Sequence, residues 1–314
     1  MANSSSQPVA TRETLKRYAI VISDLIHQST TAYHFAAEVE DVDHLQVERG
    51  AMFATFLDDP AAATRIVPGV ERLIAAGSRL SVGRFEIVDR LGHERLVYRP
   101  LLVYSWLQAF RAGYEGLPRT EFGAWEEATR AWCDDLEYRL GNFAWPADAL
   151  PAARGDEVAE MCWTALALEV AGKVFIRDAW TDLAGDVFGK LVRRQQENGA
   201  FLSAAAGDNP ETLWFHEVVI LHAAASYAVQ TEDRALASAV AQATLYQQAE
   251  TQIDHATNQP WGLFAFLWNP PTVPMADGLL HAVTAHAASA DDGVSGLTLM
   301  LLADALYCLR LFKL

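Results

Sequence analysis

Cysteine is scarce in this 314-residue chain. Cys133, Cys162 and Cys308 are an odd number at wide spacing, each among apolar neighbours in a helical pattern. That argues against a disulfide scaffold or a cysteine-ligated metal and predicts three buried free thiols. Glycine and proline are sparing as well, at 19 and 12 residues, which rules out collagen-like and low-complexity classes. Basic residues are outnumbered, 24 Lys and Arg against 40 Asp and Glu, for a formal charge of −16. A surface of that sign repels phosphate backbones and anionic lipid, so neither nucleic acid nor a membrane surface is expected as a partner. Long apolar runs are lacking too: the stretch 297–302 is short and Asp304 soon follows, so no membrane span is expected. The polar opening MANSSSQPVATRETLKR has no apolar core of the signal-peptide kind, and a reduced, cytoplasmic setting is expected. Gly-rich phosphate loops, the G-x-S-x-G elbow and HExxH are missing, which argues against nucleotide hydrolysis, serine-hydrolase chemistry and a zincin centre. No cofactor or metal is expected.

What the chain does have is apolar mass, 51% hydrophobic against 20% charged, enough for a large core in a single domain. Residues 1–10 read as a flexible lead and 11–314 as one all-α domain. Helical spacing of apolar residues starts with Leu15, Tyr18, Ile22, Leu25 and Ile26, and further helices are expected over 44–57 and 60–76. Residues 82–98 break the pattern. Their β-branched and aromatic residues flank a glycine-containing centre, which predicts a β-hairpin or extended excursion.

Two kinds of helix then alternate. Those near 98–112, 156–171, 213–229 and 275–288 are apolar nearly all round, whereas 121–140, 178–197 and 232–253 carry polar faces; 296–312 closes the chain. The first kind must be covered on every side and the second can stay outside, so inner and outer layers are expected. Thr164-Ala165-Leu166 aligns with Leu221-His222-Ala223 and then with Leu280-His281-Ala282, a repeat of about 57 residues, or one helical hairpin with its loops. Hairpins at this period can share a core only by stacking or by closing on themselves. The economical arrangement is an α/α toroid, with an open solenoid as the alternative.

The end of the outer helix, Gln195-Gln196-Glu197-Asn198-Gly199-Ala200-Phe201, resembles the Gln/aromatic repeat of the terpenoid cyclase and protein prenyltransferase superfamily. A second, looser copy pairs Gln252 with Trp261-Gly262. The resemblance covers roughly residues 155–312 and implies an α/α toroid. In that superfamily chemistry is carried by Asp-x-Asp-Asp, which is absent here, or by Asp-Asp-x-x-Asp/Glu, where Asp134-Asp135-Leu136-Glu137 places its Glu one position early.

Inner helices of a toroid present their N-terminal ends at a common mouth, and the repeat pairs Glu160 with Glu217, with Asp277 one position beyond the next equivalent. Carboxylates at a partly apolar mouth can divide into a general acid and a general base. The candidate catalytic residues are therefore Glu217, Glu160, His216 as proton partner and Asp277 in support; the alternative is that these carboxylates only complement helix dipoles. Trp214, Trp261, Trp268 and Phe201 are candidate walls for a ligand, and His222 and His281, equivalent in the repeat, are candidate contacts deeper in their helices. Aromatic walls with a few acids suit an isoprenoid chain or a sugar ring. Three functions stay open: a hydrophobic or ring-shaped small molecule bound or converted in a central pocket, a carbohydrate-active α/α barrel, and a non-catalytic scaffold.

Overall fold

The computed structural model describes residues 11–32, 52–58, 84–88, 94–114, 123–250, 259–289 and 294–312. The expected lead over 1–10 and helix over 60–76 lie outside these residues. In chain order the elements are α1 (Arg12–Ala32), α2 (Met52–Asp58), strands β1 (Arg84–Val88) and β2 (Glu94–Tyr98), α3 (Arg99–Tyr114) and α4 (Gly123–Asn142). There follow β3 (Leu150–Pro151), α5 (Gly155–Phe175), α6 (Asp178–Arg194), β4 (Leu202–Ser203), α7 (Pro210–Thr231), α8 (Arg234–Glu250), α9 (Leu263–Trp268), α10 (Val273–Ser289) and α11 (Gly296–Leu311). The chain is mostly helical, as its periodicity predicts. None of its described helices is long and apolar enough to cross a membrane.

Three of the four helices expected to be buried are so. Residues 101–110 of α3, 161–172 of α5 and 216–228 of α7 are buried without interruption. α10 corrects the fourth expectation: Met275, Ala276, Leu279, Leu280 and Val283 are buried, but Asp277, His281 and Thr284 are exposed. Spaced four and three residues apart, those polar residues form one stripe that its alanines hide from a count of apolar content. The long closing helix α11 is buried instead, from Gly296 to Leu306. The amphipathic helices α4, α6 and α8 lie against the buried ones, α4 on α3 and α5, α6 on α5, and α8 on α7.

The excursion is a hairpin. β1 and β2 pair antiparallel, with Arg84 opposite Tyr98 and Val88 opposite Glu94, and α3 starts at the next residue. A second, two-residue ladder is parallel: Leu150 and Pro151 pair with Leu202 and Ser203, joining the segments that lead into α5 and α7. The α7 start is fixed locally, since Asn209 accepts from the Glu211 N–H at 3.0 Å and Pro210 opens the first turn. All three cysteines are free and buried, and burial pushes their thiols above the ordinary range.

The α5–α6 connection breaks a local rule. Ile176 caps α5 in the left-handed region at φ 55°, where a β-branched side chain is strained, and it is 89% exposed. Having almost no packing to lose, Ile176→Gly is expected to raise stability by about 1 kcal/mol, read as a higher urea midpoint at unchanged slope. A lower midpoint would mean that Ile176 has a packing partner after all.

Candidate functional site

The loop that carries the family resemblance is built by side-chain amide and carboxyl groups. At the end of α6, the Gln195 side-chain amide donates to the Gly199 carbonyl at 2.9 Å and to the Ala239 carbonyl of α8 at 2.8 Å. Gly199 holds φ 95°, and a Cβ there would stand 2.6 Å from the Gln242 carbonyl oxygen, so only glycine fits. Phe201 is fully buried beneath the loop. From the other side, Glu217 of α7 accepts the Phe201 N–H at 3.1 Å and the Leu202 N–H at 2.5 Å. Both oxygens of Glu217 are thus turned to the loop, and the residue that sequence placed at the centre of the chemistry serves as a loop anchor. Burial pushes its carboxyl up to about 8, against the opposing pull of the two backbone donors.

A different carboxylate stands where α5 and α7 begin. His216, buried in the first turns of α7, places Nε2 3.7 Å from Oδ1 of Asp156 in the first turn of α5. The same oxygen accepts the Tyr98 hydroxyl at 3.0 Å, from the last residue of β2. Gly155 lets the pair approach: a Cβ there would lie 2.6 Å from His216 Nδ1. Glu160, one turn beyond Asp156, is half-buried; burial raises its carboxyl above the usual range, Asp156 and Glu157 add to the rise, and Arg139 opposes it. Two of the predicted mouth residues, Glu160 and His216, therefore lie by the start of α5. Asp156 is not among the predicted residues, because the 57-residue offset that pairs Glu160 with Glu217 sets Asp156 against Leu213.

From His216 runs a column of rings. Phe215 contacts His216 and Trp261, Trp261 contacts Trp163 and His222, and Trp163 contacts His222 and Tyr104, all at centroid separations of 5.4–6.4 Å. Beneath it lies a polar centre that the sequence did not announce. Asp304 of α11, fully buried, accepts from the Tyr104 hydroxyl of α3, the Ser226 hydroxyl of α7 and His222 Nε2 at 3.1 Å. His222 Nδ1 accepts the Gly262 N–H at 3.2 Å, which puts the ring proton on Nε2, facing Asp304. The Tyr104 oxygen also accepts from Gln108 at 2.9 Å and Gln230 at 3.0 Å. Burial and the Asp304 charge push the Tyr104 phenol well above its usual range.

The other predicted residues are scattered. Asp277 sits on the exposed stripe of α10, 2.5 Å from the Tyr18 hydroxyl of α1 and 3.6 Å from Arg17. His281 shares that stripe, so it is no counterpart of His222. Trp268 packs on Phe264 and Phe312, and Trp214 is half-buried. Asp134 and Glu137, from the near-miss acidic motif, both bind Arg177 at 2.7 and 2.6 Å and so staple α4 to the α5–α6 turn. Comparison of the chain with protein-family models, with curated proteins and with solved structures finds no match.

Glu217 generates a pH prediction. With its folded value raised from 4.5 to about 8, the native state holds a proton that the unfolded chain releases above about 4.5. That contribution is full below the lower value and is lost as pH rises through the upper one. Urea midpoints of the wild type should therefore fall relative to Glu217→Gln between about pH 5 and pH 8. Glu217→Ala, which orphans two buried N–H groups, should cost about 2–5 kcal/mol. Parallel wild-type and Gln curves across that window would show that Glu217 does not titrate there.

Proposed function

We propose that this chain is an α/α toroid of terpenoid-cyclase-like build, which holds a hydrophobic or ring-shaped small molecule where α5 and α7 begin. The order of neighbours supports the ring: α3 lies on α5, α5 on α7, α7 on α11, α11 on α2, and α2 on α3 again. The Gln195–Phe201 loop supports the relationship, because its Gln joins successive outer helices and its aromatic ring is buried below. The observation that carries the functional reading is the Asp156–His216 pair at the head of the aromatic column. A carboxylate beside an imidazole stabilises the imidazolium form, so His216 can take a proton from an occupant and return it, while Tyr98 holds Asp156 in place. Glu160, kept protonated more readily by burial, is the nearby acid.

The column favours an apolar occupant over a sugar. Trp261 is 1% exposed among Trp163, His222 and Phe215, and Trp268 is stacked into Phe264 and Phe312, so neither offers a flat open platform. Farnesol and cellotetraose are suitable probes for the two classes, read by quenching of the column's tryptophan fluorescence. Farnesol should bind saturably, and His216→Gln and Asp156→Asn should each weaken its binding or conversion about tenfold or more with the fold intact by circular dichroism. Cellotetraose binding without farnesol binding, or farnesol binding that neither substitution alters, would refute the assignment.

A further inference from the structure

The structure assigns a second binding site, for a short zwitterion of the amino-acid or dipeptide class, to a polar groove between the end of α6 and the segment that leads into β3. The groove has a volume of about 400 Å³, and its lining includes Ala147, Asp148, Arg193, Arg194, Gln195 and Gln196. That volume suits a small molecule. Its lining residues include no aromatic ring and no branched aliphatic side chain, which disfavours an isoprenoid chain and a ring-stacked sugar.

The groove is held open by its own hydrogen bonds. The Arg194 guanidinium donates to the carbonyls of Pro146 at 3.0 Å, Lys190 at 3.2 Å and Ala147 at 3.5 Å, which pins the facing segment to the helix. Gln195 is committed to Gly199 and Ala239, and Gln196 donates its amide to the Arg194 carbonyl at 2.9 Å. Two charges remain. Arg193 stands on the helix side and Asp148 on the facing segment, both exposed, and among the described residues neither has an ion-pair or hydrogen-bond partner. The other basic side chains of α5 and α6 are all engaged, Lys173 with Glu169, Lys190 with Asp186, and Arg194 with carbonyls.

Opposite charges on the two segments, with no ion pair between them, select an occupant that carries both signs. A lone anion meets Asp148 and a chain of charge −16, and a lone cation meets Arg193 and the charge that Arg194 keeps. A zwitterion lays its carboxylate on the Arg193 fork, which matches carboxylate geometry, and its ammonium on Asp148. This assignment is independent of the Asp156–His216 reading.

Titration calorimetry with glycylglycine, glycine, N-acetylglycylglycine and glycylglycinamide tests it. Glycylglycine or glycine should bind saturably with Kd of about 1 mM or tighter, the tighter of the two naming the class, and blocking either end should weaken binding at least about fivefold. Arg193→Gln should weaken glycylglycine by a similar factor and abolish discrimination against glycylglycinamide. Asp148→Asn should do the same for the N-acetyl form, and His216→Gln should change none of these values. Equal binding of free and blocked peptides, or no saturable binding below about 10 mM, overturns the site.

Discussion

The carboxylate of Asp304 holds three helices to one point. A buried charge costs several kcal/mol unless its lone pairs are met, and here the donors come from elsewhere: Tyr104 on α3, His222 and Ser226 on α7. No single helix can satisfy it. The cost of burying Asp304 is relieved only when α3, α7 and α11 stand together, so the carboxylate penalises arrangements in which α11 is shifted or rotated. Its partners extend the constraint outward. Tyr104 gathers the amides of Gln108 and Gln230, and His222 fixes Gly262 and with it the start of α9.

α7 uses one device twice. Glu217 takes the N–H groups of Phe201 and Leu202, and His222 takes that of Gly262, so a buried side chain of this helix anchors the loop beyond each of two outer segments. In both cases the loop residue carries an N–H that a buried chain cannot leave unmet. This division of labour changes how the site is read. Glu217 and His222 are spent on loops and on Asp304, whereas His216 meets Asp156 at the helix ends, beside Phe215, which is only partly buried.

Much of this was legible residue by residue. Helices buried on all sides were visible in α3, α5 and α7 because apolar residues dominate every face of them and only isolated polar residues interrupt, and the hairpin was visible because its β-branched residues break the helical period. The role of Gln195, Gly199 and Phe201 also followed from local chemistry, since a helix end has carbonyls to satisfy and a tight turn needs glycine. The repeat misled at α10. Leu280-His281-Ala282 matches Leu221-His222-Ala223 in letters, yet His281 lies on a polar stripe with Asp277 and Thr284 while His222 lies among rings. Identity of three residues says little about which face of a helix is covered.

By itself the sequence determined the helical class, the burial of α3, α5 and α7, the buried thiols and the special loop after α6. Each depends on spacing or on the chemistry of a few adjacent residues, and both act within one element. Only the tertiary structure decided that Asp304, rather than His281, completes the centre, that Glu217 faces a loop, and that Asp156 is the partner of His216. Those pairings join residues 15 to 200 positions apart, and each turns on a rotation of one helix against another. A rotation of about 100° separates neighbouring side chains on a helix, so Glu217 and His216 point at different partners although they are adjacent in the chain.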